Sequence, residues 1–228
     1  MGEIMKKKVL IFDVNETILD IGVLEDFFKD YFGNHQILKE WFTELILYSE
    51  ALSLSEEYVK FEDLVVGILQ MIAEIHKVKL TNDAIKQFKK YLNNMPAHKD
   101  VAPALTLLKD AGFRMVALTN SSQKSGVSSI KRADLSMFFD IVLSVEEVRK
   151  YKPSQEVYKY ASETIGVAPE NLRLIACHAW DILGAVAVGY TGALVTRKGN
   201  ARFPLGPQAD IIDDNLISLA QKIIALEK

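Results

Sequence analysis

From Val101 onward, short apolar runs alternate with amphipathic stretches, and this alternation restricts the fold more than any other feature. A helix over 102–111, with Pro103 in its first turn, precedes the strand Met115-Val116-Ala117-Leu118. A helix over 122–133 leads to Ile141-Val142-Leu143-Ser144, and one over 154–165 leads to Leu172-Arg173-Leu174-Ile175-Ala176. A helix over 180–188 precedes Ala193-Leu194-Val195, and Ile211-Ile212 precedes a closing helix over 216–226. Repeated strand–helix units argue for a parallel sheet with helices on both faces, an α/β, Rossmann-like core. One further strand stands apart near the N-terminus: Val9-Leu10-Ile11-Phe12 suits a strand buried on both faces. Between it and the alternating region, 23–94 shows only helical periodicity. Phe27, Phe28 and Tyr31 mark a first helix, and Ile37, Leu38, Trp41, Leu45 and Tyr48 a second. Phe61, Leu64, Val65, Ile68, Leu69 and Ile72 mark a third, and Thr81 N-caps a fourth through Ile85, Phe88 and Leu92. The expected organisation is a core of 1–20 and 96–228, interrupted after its first strand by a helical cap domain of 21–95. Asn93-Asn94-Met95-Pro96 is the return linker.

Composition excludes several classes of partner. A net charge of −3 gives no bulk attraction to nucleic acid or to an anionic membrane. No apolar run is long enough to span a bilayer. Lys6-Lys7-Lys8 before an apolar run imitates a secretion signal, but Asp13 ends that run too early for one. The single cysteine, Cys177, excludes an internal disulfide and fits a reducing cytoplasm.

Parallel strands place their C-terminal ends on one rim, where open α/β sheets bind ligands. That rim would carry Asp13, Thr119-Asn120-Ser121, Lys152 and the run Cys177-His178-Ala179-Trp180-Asp181, with Thr17 folding back on Asp13 from the same loop. Each has a plain structural reading: Asp13 as a turn residue, Thr119 or Ser121 as helix caps, Lys152 as a solvated loop lysine, Asp181 as a helix-start carboxylate. Their joint appearance in this order points to a nucleophile site.

Asp-x-x-x-Thr after the first strand, a hydroxyl and Asn after the second, Tyr151-Lys152-Pro153, and Ala179-Trp180-Asp181 after the last resemble the haloacid dehalogenase superfamily. Within it, Leu143-Ser144-Val145, Val157-Tyr158 and His178-Ala179-Trp180-Asp181-(x)2-Gly184-Ala185 are similar to signatures of the type II 2-haloacid dehalogenases. The resemblance implies Asp13 as nucleophile, Thr17 and Thr119 orienting it or the substrate, and Lys152 holding it ionised. It implies Asn120 and backbone amides at a substrate carboxylate, Tyr158 as support, and Asp181 positioning water. Ile46 and Phe61 from the cap, with Trp180, would form an apolar pocket; core packing is the alternative for each. The reaction implied is displacement of halide from a short 2-halocarboxylic acid by Asp13, followed by hydrolysis of the ester, with no cofactor.

Departures keep other readings open. Phosphatases of the superfamily carry a general-acid Asp where this chain has Asn15, and a magnesium-binding Asp where it has Cys177. A phosphatase would have to hold Mg²⁺ at Asp13 and Asp181. The dehalogenases carry an aromatic at the Asn15 position, an Asn at that of His178 and a halide-holding arginine at that of Phe42, and no arginine occurs here before Arg114. Lys39, Lys60, His178 or the Trp180 indole are the substitutes available. A catalytically decayed binding protein is the third reading. Related enzymes are often dimers, which makes a homodimer an expectation to test.

Overall fold

A computed structural model describes residues 8–227; Lys6 and Lys7 of the basic triplet lie outside these described residues. Six parallel strands, in the order β3-β2-β1-β4-β5-β6, form the sheet. They are β1 (Val9–Asp13), β2 (Met115–Thr119), β3 (Ile141–Ser144), β4 (Leu172–Ala176), β5 (Thr191–Val195) and β6 (Ile211–Asp213). The helices α5 (Val101–Asp110), α6 (Gln123–Arg132), α7 (Gln155–Ile165), α8 (Ala179–Ala187) and α9 (Leu216–Leu226) accompany it. β1, β2 and β4 are buried along their whole length, in keeping with their mainly apolar sequences; Arg173 inside β4 is buried with its guanidinium paired to Asp210 and Glu227. β1 lies between β2 and β4, so the order reverses direction beside it. Parallel sheets open a crevice at such a reversal, and Asp13 stands at its edge.

Polar residues extend two strands beyond their apolar runs. Asp13 pairs in register with Leu118 and Thr119 with Ser144, because the ladder is made by backbone groups whatever the side chain. β5 likewise starts at Thr191, ahead of its apolar run.

Between β1 and α5 run four helices: α1 (Glu25–Phe32), α2 (Ile37–Leu54), α3 (Phe61–Ile75) and α4 (Asn82–Asn93). α2 continues past Tyr48 to an exposed Leu54 because Glu50, Ala51 and Leu52 are good helix formers. Thr81 caps α4 by accepting from Ala84 N–H. Phe27, Phe28, Trp41 and Phe88 pack ring against ring to hold the bundle together, and each is at most 1% exposed.

Two sets of bonds join this bundle to the sheet. At the chain crossings, Asp20 N–H donates to Pro96 O (2.8 Å) and His98 N–H to Ile18 O (3.0 Å). Elsewhere, Ser53 Oγ accepts from Tyr151 N–H (2.8 Å), Ser53 O from Lys150 Nζ (2.8 Å), Val59 O from the Tyr151 hydroxyl, and Glu62 from Ser122 Oγ. None of the helices among the described residues is long and apolar enough to cross a membrane.

Candidate active site

Asp13, Lys152 and Asp181 arrive from three segments and meet at one ammonium. Lys152 Nζ donates to Asp13 Oδ1 and to Asp181 Oδ2, each at 2.6 Å, and all three side chains are at most 7% exposed. The loop bearing Lys152 is fixed because Asn120 Oδ1 accepts its backbone N–H (3.1 Å). Asp181 lies in the first turn of α8, where its second oxygen takes the Tyr158 hydroxyl (2.6 Å). α8 approaches this closely only because residue 184 is glycine: a Cβ there would stand 2.7 Å from both Pro153 Cβ and Tyr158 Cε2.

Thr17 bridges two loops, donating to Asp13 Oδ2 (2.5 Å) while accepting from Cys177 N–H (2.9 Å). Thr119 Oγ1 accepts from Ser121 N–H. The N-cap of α6 is neither Thr119 nor Ser121 but Ser122, whose hydroxyl accepts from Ser125 N–H. Asn15 leans toward Ser121 Oγ (3.5 Å).

His178 fills the remaining side of Asp13. Its Nδ1 is 3.7 Å from Asp13 Oδ2, and its Nε2 is 2.5 Å from Glu16 Oε2. Glu16 reaches it from a left-handed backbone conformation (φ 66°), uncommon outside glycine. The imidazole lies between two aromatic faces, Phe42 at 5.4 Å and Trp180 at 5.1 Å, both nearly parallel to it. Sequence reasoning missed Glu16; its signal was a charged residue inside an otherwise buried nucleophile loop. It also missed Arg197, which fixes that loop by donating to Thr17 O and to Asp100, and which no motif marks.

These surroundings drive the two carboxyls apart. Burial disfavours ionised Asp13, but Lys152 and His178 outweigh it and hold this carboxyl well below the usual range. Burial pushes Asp181 the other way; Lys152 opposes this, and the negative charge of Asp13 adds to it. Lys152 loses by burial and gains more from its two carboxylates, so it stays charged. Burial likewise works against charged His178, and Cys177, Asp13 and Glu16 together hold its proton in place.

A cleft of about 1680 Å³ opens beside the site, lined by Phe42, Ile46, Trp180, His178, Glu16 and Arg197 among others. Phe61 does not line it; it faces Tyr151 (ring centroids 6.0 Å apart) and is 9% exposed. Lys39 lines the cleft and Lys60 does not.

Magnesium on Asp13 and Asp181, as the phosphatase reading requires, does not fit these donors. The Lys152 ammonium stands between the two carboxylates, both Asp181 oxygens already accept hydrogen bonds, and the third position is the Cys177 thiol.

Residues 7–189 match the haloacid dehalogenase-like hydrolase family. Over 213 residues the chain is 28% identical to an (S)-2-haloacid dehalogenase of Pseudomonas sp. (strain CBS-3), covering 92% of this chain and 93% of that one. It is also 28% identical, over 212 residues, to a haloacetate dehalogenase of Moraxella sp. (strain B), covering 90% and 93%. Among solved structures, an L-2-haloacid dehalogenase superposes with a TM-score of 0.91 at 25% identity, over 96% of this chain and 99% of that one.

Proposed function

The chain belongs to the haloacid dehalogenase-like hydrolase family, and on that premise we propose that it hydrolyses a short 2-haloalkanoic acid through an ester on Asp13. The observation that carries this reading is the Asp13 carboxylate, ionised by Lys152 at 2.6 Å in a site whose donors do not suit magnesium. Asn15, two residues on, has no acidic proton to give a leaving alcohol. Halide leaves as a stable anion and requires none. The two relatives named above are dehalogenases of such acids.

In the first step an Asp13 oxygen attacks C2, the C–O bond forms, and halide departs with the C–halogen electron pair. In the second, water attacks the Asp13 carbonyl carbon and the ester C–O bond breaks, returning the carboxylate and a 2-hydroxy acid. Asp181, raised above the ordinary carboxylate range and aligned by Tyr158, is the group suited to take the proton of that water. Lys152 offsets the charge of Asp13 before attack and faces the oxyanion that forms when water adds to the ester. Thr17 and the Cys177 backbone restrain the rotation of the nucleophile. Ile46, Phe42 and Trp180 give the cleft an apolar wall for the alkyl and halogen groups. Lys39 supplies positive charge toward a substrate carboxylate. The buried, unpaired thiol of Cys177 fits a cytoplasmic setting.

The test is halide release from 2-chloro- and 2-bromopropionate, with Asp13→Asn as control and mass spectrometry of the trapped ester. Turnover in H₂¹⁸O must place label in Asp13 during the first cycle. Wild-type protein that releases no halide from any short 2-haloacid removes the proposal.

A further inference from the structure

We propose that Asp13 Oδ2, Cys177 Sγ and His178 Nδ1 form a binding site for a borderline-soft divalent transition metal, for which Zn²⁺ is the representative ion. The three ligand atoms lie within 4.8 Å of one another and all three residues are buried. Nδ1 is 3.5 Å from the sulfur and 3.7 Å from the Asp13 oxygen. A tetrahedral ion at ordinary Zn–S, Zn–N and Zn–O bond lengths separates sulfur from nitrogen by about 3.5 Å and nitrogen from oxygen by about 3.4 Å. The Asp13–His178 pair needs to move by only a few tenths of an ångström; the sulfur, which is also 3.6 Å from Nε2 and so lies over the ring, has to swing toward Nδ1 to join the ion. The same donors that suit magnesium poorly suit this class of ion, because thiolate and imidazole select softer cations.

A second observation is independent of those distances. Imidazoles that bind metal through one nitrogen almost always donate the other N–H to a carboxylate or carbonyl, which fixes the ring and its tautomer. His178 presents this arrangement, with Nε2 on Glu16 Oε2 at 2.5 Å and Nδ1 turned to Asp13. The aromatic faces of Phe42 and Trp180 hold the ring plane. Binding displaces the Cys177 thiol proton and the Nδ1 proton to solvent, leaving thiolate and neutral imidazole as ligands. These residues provide three donors, and solvent supplies the fourth position. Asp13 keeps Lys152 on its other oxygen. Occupancy withdraws Oδ2 from any substrate; that consequence rests on the proposed function, whereas the binding itself does not.

The single cysteine makes the test specific, because any metal–thiolate signal must come from Cys177. Co²⁺ titrated into the reduced, metal-free full chain should give a near-ultraviolet thiolate-to-cobalt band saturating at one equivalent. Zn²⁺ should bleach it. Cys177→Ala, checked for folding by circular dichroism, should lose the band. Glu16→Gln should weaken Zn²⁺ affinity tenfold or more, and this side chain is 19% exposed, so the second variant stays available if the first does not fold. A wild type without the band at saturating Co²⁺, a band that survives in Cys177→Ala, or an affinity unchanged by Glu16→Gln overturns the site.

Discussion

Replacing Lys152 by methionine removes the one ammonium that faces both buried carboxylates, and its cost can be bounded from the structure. Nζ is 2.6 Å from Asp13 Oδ1 and from Asp181 Oδ2, with 1% of the lysine side chain exposed. At that separation each contact is worth about 6 kcal/mol of gross attraction at an effective dielectric of about 20. Deleting one partner of a buried pair costs about 3–5 kcal/mol net. A second limit comes from protonation, since neutralising a carboxyl of ordinary pKa at pH 7 costs about 4 kcal/mol. The expected loss is therefore about 4–5 kcal/mol at pH 7, a large share of a typical domain's stability. Its pH dependence has a definite sign. Without the ammonium, burial and the charge of Asp13 raise Asp181 further above its unfolded value, while His178 still opposes burial at Asp13. The folded variant then binds more protons than the unfolded chain, so its stability falls as pH rises, by about 1.4 kcal/mol per pH unit per proton. Urea unfolding followed by circular dichroism at pH 5, 6, 7 and 8 measures both quantities. Adding Asp181→Asn should restore about 1 kcal/mol or more in the Lys152→Met background, while the same change alone should destabilise. A loss below about 1 kcal/mol at pH 7, or a stability flat from pH 5 to 8, refutes the reasoning.

Other expectations follow from the same geometry. Asp13→Asn should reduce halide release below about one part in 10⁴ of wild type. It should also flatten the acid limb of stability, because a depressed carboxyl stabilises above its unfolded pKa and that share disappears as pH falls through the folded value; both are read from halide assays and pH-dependent melts. Tyr158→Phe leaves Asp181 Oδ1 without its hydroxyl donor and should cost about 1–3 kcal/mol by chemical denaturation. His178 carries a raised pKa, so its contribution is complete below the unfolded value of about 6.5 and fades as pH rises through the folded one. His178→Gln should accordingly show a shallower stability loss between pH 7 and 9, and ¹⁵N spectra of wild type should show both ring nitrogens protonated at pH 7.

What could be read from the sequence was what repeats or falls at fixed places in repeating units. The alternation after Val101 implies parallel strands, parallel strands imply a common rim, and Asp13, Lys152 and Asp181 each follow a strand end. Their standing on one rim is thus legible before any coordinates, whereas the second contact of Lys152, to Asp181, is a finding of the structure. The helices between β1 and α5 were legible for a similar reason, through periodic apolar residues. What was hidden depends on single backbone angles or on contacts between distant loops. The Glu16–His178 pair joins residues 162 positions apart and requires φ 66° at Glu16. Phe42 reads as a missing arginine in the sequence, and in the fold it covers the imidazole of His178. Phe61, an apolar residue at a helix start, has nothing in its spacing to say that it faces Tyr151 and not the cleft. Asn120 reads as a donor toward substrate, and nothing in its spacing says that its carbonyl oxygen accepts the backbone N–H of Lys152.

The bonds from Ser53, Val59 and Glu62 to the segment around Tyr151 and to Ser122 make the helical bundle asymmetric in its attachment. On that side, and at the crossings by Pro96, it is stitched to the sheet by directional bonds. On the side of Phe42 it meets His178 ring face to ring face, above an open cleft. A cover sewn along one border and merely resting on the other lifts from the resting border. A tilt of the bundle about its bonded side would therefore widen the cleft beside Phe42 and uncover His178 first. Lys152 follows Tyr151 on the bonded side, so such a tilt would leave its contacts with Asp13 and Asp181 in place.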